Sequence, residues 1–275
     1  MSLRINTNMA SINAQRQLAT SEKRNLSSMK ALASGSRINS AADDAAGLAI
    51  SENLRAQNRG NRVAKRNAED AISFIQVGEG GLNEVNNILV RLRELGVQSA
   101  SDTVGDTERE FIDQEAQQLL SELDRIAEST KFGDKNLLNG SLDELEFQIG
   151  TDGGENSVIR YTANADATAT NLSVDGLDFT DKSGSRDALE VLDEALYKVG
   201  SMRANFGALQ NRLDSTIANL DTSYESMSAA NSRIRDADIA AESAELVSSQ
   251  ILQQASIGAL AQANQSQATA LKLIG

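Results

Sequence analysis

From Leu192 to Ile234 every seventh residue is apolar: Leu192, Val199, Phe206, Leu213, Leu220, Met227 and Ile234. Leu196, Met202, Leu209, Ile217, Tyr224 and Ala230 fill the positions between them, which makes the pattern the seam of a coiled coil. The chain has no proline to break it, and at 1.5 Å per residue one helix over this stretch would run for roughly 64 Å. A helix that long cannot bury its own seam. Other helices must lie along it, and the first half of the chain has to supply them.

The first half offers two. Ile75, Leu82 and Leu89, with Ile72, Val85 and Leu92 beside them, put a seam on a helix predicted over 42–99. Ile112, Ala116, Leu119, Leu123 and Ile126 do the same on a helix predicted over 107–128, opened by Thr107 and Glu110 as a capping box. Gly78, Gly80 and Gly81 interrupt the first helix at a cost of roughly 1 kcal/mol each relative to Ala, and permit either close approach or a bend. Ser40 and Asp43 form another capping-box pattern, and Asp43 and Asp44 suit the first turn of the helix it opens. That acidic pair is read as a helix start, not as a metal or acid–base site.

Between 142 and 180 the period shortens to two. Leu145, Phe147 and Ile149 alternate with Glu144, Glu146 and Gln148, turn-forming residues follow from Gly150 to Asn156, and Ser157 to Thr162 reads as the returning strand of a β-hairpin. The segments Lys131–Gly140 and Thr162–Asn171 read as loops, the second on the surface, while Leu172, Val174, Leu177 and Phe179 suggest an extended piece ahead of a helix over 185–235. The ends are weaker. Ile5, Ile12, Ala19, Leu26 and Ala33, with Met9, Leu18, Met29 and Leu32, make a heptad interrupted by Asn, Gln and Ser; beyond Ile234 the seam passes through Ala237, Ala241 and Ala244 to Leu246, Val247, Ile251, Ile257, Leu260 and Leu271. Such faces gain little from burial, so both end helices are expected to need a partner, each other or further copies, before they order.

The fold class that follows is mainly α: a long antiparallel helical bundle or coiled-coil rod with a small β-hairpin insertion, its terminal helices pairing as a coiled coil. Three segments are expected: 1–41 and 236–275 as the two halves of one terminal coiled-coil domain, and 42–235 as a rod domain containing helices 42–99, 107–128 and 185–235 with the hairpin at 142–180.

Composition narrows the function. The 275 residues include no His and no Cys, which removes the commonest metal ligands and the usual neutral-pH general base. Carboxylate pairs occur without a nucleophile and base beside them, and Gly150 to Gly153 is a turn rather than a phosphate loop, so no catalytic, cofactor or metal site is expected. The formal net charge of −13 disfavours nucleic acid and anionic membranes as partners. No stretch approaches the ~18 apolar residues of a membrane span, and the N-terminus lacks the apolar core of a cleaved signal peptide. One surface stands out in this acidic chain. Arg55, Arg59, Arg62 and Arg66 fall on one helix face, and Asp238, Glu242 and Glu245 have complementary spacing, so the two sets are expected to pair between helices or between subunits.

Five ordered blocks carry a resemblance over nearly the whole chain: Ile5-Asn-Thr-Asn8, Ser34-Gly-Ser-Arg-Ile-Asn-Ser-Ala-Ala-Asp-Asp-Ala-Ala-Gly-Leu-Ala-Ile-Ser51, Arg91-Leu-Arg-Glu-Leu-Gly-Val-Gln-Ser99, Ser232-Arg-Ile-Arg-Asp-Ala-Asp-Ile239 and Ile251-Leu-Gln-Gln-Ala255. Together they resemble bacterial flagellin, in a short form without large outer domains. The resemblance implies a structural, non-enzymatic subunit that polymerises helically into the flagellar filament used for swimming, its terminal helices lining a central channel. It implies export, unfolded and without a cleaved signal, through the flagellar type III apparatus to the cell exterior. Its implied partners are further copies and sibling flagellins, an export chaperone, hook-associated and cap proteins, and Toll-like receptor 5. The receptor-recognition motif of the family matches Arg91, Leu95 and Glu115, residues that packing between subunits would equally use. A hook–filament junction protein is the competing reading.

Overall fold

The computed structural model describes residues 7–142, 144–162 and 165–272. Ile5 of the N-terminal seam and the side chain of Leu271 in the C-terminal one lie outside what is described. Six helices and two small antiparallel sheets follow in the order α1 (Met9–Ser34), α2 (Ala45–Ser99), α3 (Asp106–Ser129), β1 (Lys131–Phe132), β2 (Lys135–Asn136), β3 (Glu144–Gln148), β4 (Val158–Thr162), α4 (Ala169–Leu172), α5 (Lys182–Arg235) and α6 (Ile239–Lys272). Packing divides the chain into two compact units, 1–58 with 226–275 and 59–225. The divisions fall inside α2 and α5.

The 59–225 unit is built on the α5 seam. Leu192, Val199, Phe206 and Leu213 are no more than 1% exposed and Leu220 is 9% exposed. Met227 and Ile234, beyond this unit, are only half-buried. Ile75, Leu82, Val85, Leu89 and Leu92 of α2 and Ile112, Ala116, Leu120, Leu123 and Ala127 of α3 complete the core. On α3 the seam is rotated from the expected one, since Leu119 and Ile126 sit at its edge. The ion pairs Arg93–Asp193 at 2.6 Å and Lys65–Asp221 at 2.7 Å fix α2 and α5 as antiparallel.

The glycines of α2 serve close approach rather than a bend. A Cβ on Gly78 would stand 3.0 Å from the Phe206 ring, and one on Gly81 would meet Leu138 Cδ1 at 2.6 Å and Thr130 Oγ1 at 2.8 Å, whereas Gly80 has nothing within 4 Å. Helix α3 begins at Asp106 with Gly105 as its cap, so the Thr107–Glu110 box is not used. The backbone turn places Thr107 one residue inside the helix. Arg109, 9% exposed, instead ties the helices together: its Nε donates at 3.0 Å to the carbonyl of Ser99, the last residue of α2, and a terminal nitrogen at 3.0 Å to Ser101 O in the turn that follows.

The expected hairpin forms, with Leu145 opposite Tyr161 and Phe147 opposite Ile159. Leu145 and Ile159 face the core, and burial pushes the Tyr161 phenol up to about 12 as its ring packs 5.7 Å from Phe206. Glu146 accepts from Arg160 at 2.9 Å on the solvent face. Two loops are more structured than the sequence suggested. Lys131–Phe132 pairs with Lys135–Asn136 around Gly133, whose φ of 60° needs glycine. The Ala-rich tract is not a surface loop: Ala165, Ala167 and Ala169 are buried, as are Leu172, Val174 and Phe179, which form a packed irregular stretch rather than a strand. Asp124 and Asp113 hold it by accepting from Ala169 N at 2.8 Å and Phe179 N at 3.2 Å.

Two substitutions separate the roles of the glycines. Gly80→Ala is expected to raise the stability of the chain by about 0.5–1 kcal/mol, while Gly81→Ala lowers it because Leu138 and Thr130 occupy the space. Leu213→Asp should cost on the order of 4 kcal/mol, and Met227→Asp clearly less, because only the first is driven into a closed core. Denaturant unfolding of purified protein, followed by circular dichroism, measures all four.

Candidate functional site

The unit made of 1–58 and 226–275 is built differently. Helices α1 and α6 pack against each other, and two contacts fix them as antiparallel: Asn8 Nδ2 donates to Ala263 O at 3.1 Å, and Asn25 Nδ2 to Ser249 Oγ at 3.4 Å. The inward positions of α1 are Ser11, Ala14, Leu18, Ser21, Asn25, Ser28 and Leu32, with Ala31 beside the last; those of α6 are Glu242, Leu246, Ser249, Gln253, Ser256, Leu260 and Ala263. Both series step by three and four, the spacing of a coiled-coil seam. Small and polar residues dominate this seam and hold its most deeply buried positions, with Ser21 at 1% and Ser249 at 0% exposure. Its leucines, Leu18, Leu32, Leu246 and Leu260, are only half-buried.

Most of the large apolar residues point the other way. Met9, Ile12, Leu26 and Met29 of α1 are 42–57% exposed, and Ile239, Val247, Ile251 and Ile257 of α6 are 52–61% exposed. The N-terminal seam read through Ile12, Ala19, Leu26 and Ala33 is therefore the outer face of α1. The interrupting Ser and Asn residues belong to its true inner seam, a signal the sequence carried as small and polar residues recurring at heptad spacing in each end helix. A groove of about 610 Å³ lined by Ser243, Ala244, Val247, Ser248, Ile251 and Leu252 runs along the outer face of α6.

The connection between α1 and α2 is pinned to the end of α5 and the turn that leads into α6. Arg37 N donates to Arg235 O at 2.7 Å, Ala237 N to Gly35 O at 3.0 Å, and the Arg37 guanidinium to Ile234 O at 2.8 Å. Gly35 ends α1 in the left-handed region at φ 68°. The expected Ser40–Asp43 helix start is displaced: α2 begins at Ala45, and Asp44 accepts from Gly47 N at 2.8 Å as its cap. Asp43 closes the preceding turn by accepting from Ser40 N at 2.8 Å and Asn39 N at 3.1 Å, and these bonds hold its carboxyl below the ordinary 3.8. Gly47 cannot carry a side chain, because a Cβ would stand 2.8 Å from Ile38 Cδ1, itself buried.

Among the described residues no ion pair joins Arg55, Arg59, Arg62 or Arg66 to Asp238, Glu242 or Glu245. Arg55 lies 3.3 Å from Glu52, which also receives Arg235 at 2.7 Å, and Arg62 stacks over the Tyr224 ring at 5.8 Å. Arg59 and Arg66 are exposed without an ion pair among the described residues, and so are Glu242 and Glu245, Glu242 only partly exposed; Asp238 caps α6 by accepting from Ala240 N at 2.9 Å. Arg91 donates to Glu115 Oε1 at 2.8 Å and to Glu94 Oε2 at 3.0 Å, with Glu115 the larger cause of the upward shift of its guanidinium. Leu95, one helical turn along α2 from Arg91, is 1% exposed and belongs to the core.

Residues 5–143 match the model of the bacterial flagellin N-terminal helical region, and residues 189–274 that of the C-terminal helical region. A flagellin of Halalkalibacterium halodurans is 43% identical over 270 residues, covering 98% of this chain and 99% of that one. The crystal structure of Bacillus cereus flagellin matches 56% of this chain and 88% of its own at a TM-score of 0.50 and 29% identity. A putative flagellar hook-associated protein from Vibrio parahaemolyticus matches 70% of this chain and all of its own at a TM-score of 0.61, but at 13% identity, a likeness of fold alone.

The Asp43 turn yields a pH prediction. Its folded carboxyl titrates below 3.8, so its contribution is present above that value and is lost as the pH falls through the lower folded one. Amide exchange at Asn39 and Ser40 should therefore lose protection under acid conditions, and Asp43→Asn should remove the pH dependence; exchange measured by mass spectrometry at a series of pH values checks it.

Proposed function

Because the chain belongs to the bacterial flagellin family, we propose that it is the structural subunit that polymerises helically into the flagellar filament used for swimming. The observation that carries the mechanism is the inverted coiled coil. An α1–α6 pair that buries Ser most deeply and leaves Ile, Met and Val outside gains little from closing on itself. Covering those residues with neighbouring copies contributes ~1.5–3 kcal/mol for each side chain fully buried. Ordering of the ends and polymerisation are then one event, and the net charge of −13 keeps free subunits soluble until a growing tip offers partners.

The finer reading rests on the same surfaces. A weak end-helix pair suits export as an unfolded chain through the type III apparatus, with an export chaperone shielding the apolar faces, and hook-associated and cap proteins meet the filament at its two ends. The subunit acts by assembly and carries out no reaction. Arg91 and Glu115 present an exposed ion-paired surface on the 59–225 unit that serves packing between subunits and is available to Toll-like receptor 5 on the monomer. Arg59 and Arg66 serve contacts between copies, as do Asp238, Glu242 and Glu245. A hook–filament junction role has no observation in its favour.

Deleting residues 1–33 or 246–275 should leave a folded, soluble 59–225 unit that cannot polymerise. Electron microscopy after seeding with filament fragments decides: long filaments from the intact chain and none from the truncations are expected, and full-length filaments from a truncated chain would contradict the role assigned to the end helices. Arg91→Ala should change the stability of the monomer by less than about 1 kcal/mol, as for an exposed ion pair, yet slow filament growth measured by light scattering.

A further inference from the structure

The outer side of α1 carries a second groove, of about 690 Å³, lined entirely by α1 and the turn that follows it: Lys23, Leu26, Lys30, Ala33 and Arg37 form its working wall. It is a basic feature on an acidic protein. Lys23 and Lys30 are exposed and have no ion-pair partner among the described residues, and the one carboxylate in the groove, Asp43, is committed to the amides of Asn39 and Ser40. Leu26, 54% exposed, lies among these cations as an apolar floor without a cover.

The matching surface begins α6. Asp236, Asp238, Glu242 and Glu245 are four carboxylates over ten residues with no base among them, and Ile239 sits in their midst at 53% exposure. Asp236 and Glu245 are exposed with no side-chain partner among the described residues. Each side thus presents an exposed apolar residue near free charges, Lys23 and Lys30 on the groove and Asp236 and Glu245 on the acidic segment, and the signs are opposite. A buried apolar contact with a complementary charged rim is the usual anatomy of a specific interface. No residue of α6 lines the groove, so the chain's own acidic segment does not enter it.

We propose that the groove Lys23–Leu26–Lys30–Arg37 of one subunit receives the Asp236–Glu245 segment of another, with Ile239 over Leu26 and Lys30 facing Glu245. The inference rests on the flagellin reading and specifies one of its contacts. Because two different patches meet, the contact is heterologous, and repeating it extends a polymer instead of closing a dimer. It also reassigns the acidic set: its cations are those of the α1 groove, and Arg59 and Arg66 answer other carboxylates.

The chain has no cysteine, so two engineered thiols report the contact without background. Filaments grown from an equal mixture of the Lys30→Cys and Glu245→Cys chains are treated with a short bis-maleimide, beside filaments of each variant alone. Cross-linked pairs in the mixture and not in the separate filaments are expected. Filaments that form without such pairs overturn the proposal while leaving the assembly reading intact; an intact chain that forms no filaments at all overturns that reading instead. Independently, Lys30→Glu should raise the critical concentration for assembly roughly tenfold, and Lys30→Glu with Glu245→Lys in one chain should restore it. A double variant no better than the single one counts against the pairing.

Discussion

The pairing of α1 with α6 through serine and asparagine governs the rest of the structure. A coiled coil normally spends its apolar residues on its own seam. Here Ser11, Ser21, Ser28, Ser249 and Ser256 occupy the most buried places, and a hydroxyl with a hydrogen-bond partner gains little over the same hydroxyl in water. Most of the apolar residues that could have stabilised the pair stand outside it. The subunit is therefore incomplete by itself at its ends, and the completion has to come from identical molecules.

The 59–225 unit obeys the opposite rule. Leu192 to Leu213, the α2 and α3 seams and the packed Ala165–Phe179 stretch close a continuous core. Close approach at Gly78 and Gly81 and the carbonyl clamp of Arg109 tighten it. One chain thus combines a body that buries its apolar residues with an end-helix pair that leaves most of its own exposed.

The legibility of these two parts in the sequence differs for a physical reason. The α5 seam and the presence of the hairpin could be read directly, because in a closed unit apolar means inward. The same rule misplaced the α1 seam, where the most buried positions are small or polar and the larger apolar ones await a neighbouring copy. Ala165, Ala167 and Ala169 were missed because a small side chain signals neither core nor surface, and β1–β2 because two-residue strands leave no period. The Ser40–Asp43 turn shows a subtler limit: the capping residues were recognised, but their geometry assigned the cap to Asp44.

The central claim is that the end helices become stably ordered only when other copies cover their apolar faces. Backbone amide exchange of the full-length protein, compared between monomer and filament, tests it most directly. The account predicts fast exchange along 9–34 and 239–272 in the monomer, strong protection of both in the filament, and protection of the α2, α3 and α5 cores in either state. Equal protection of the end helices in monomer and filament would contradict it.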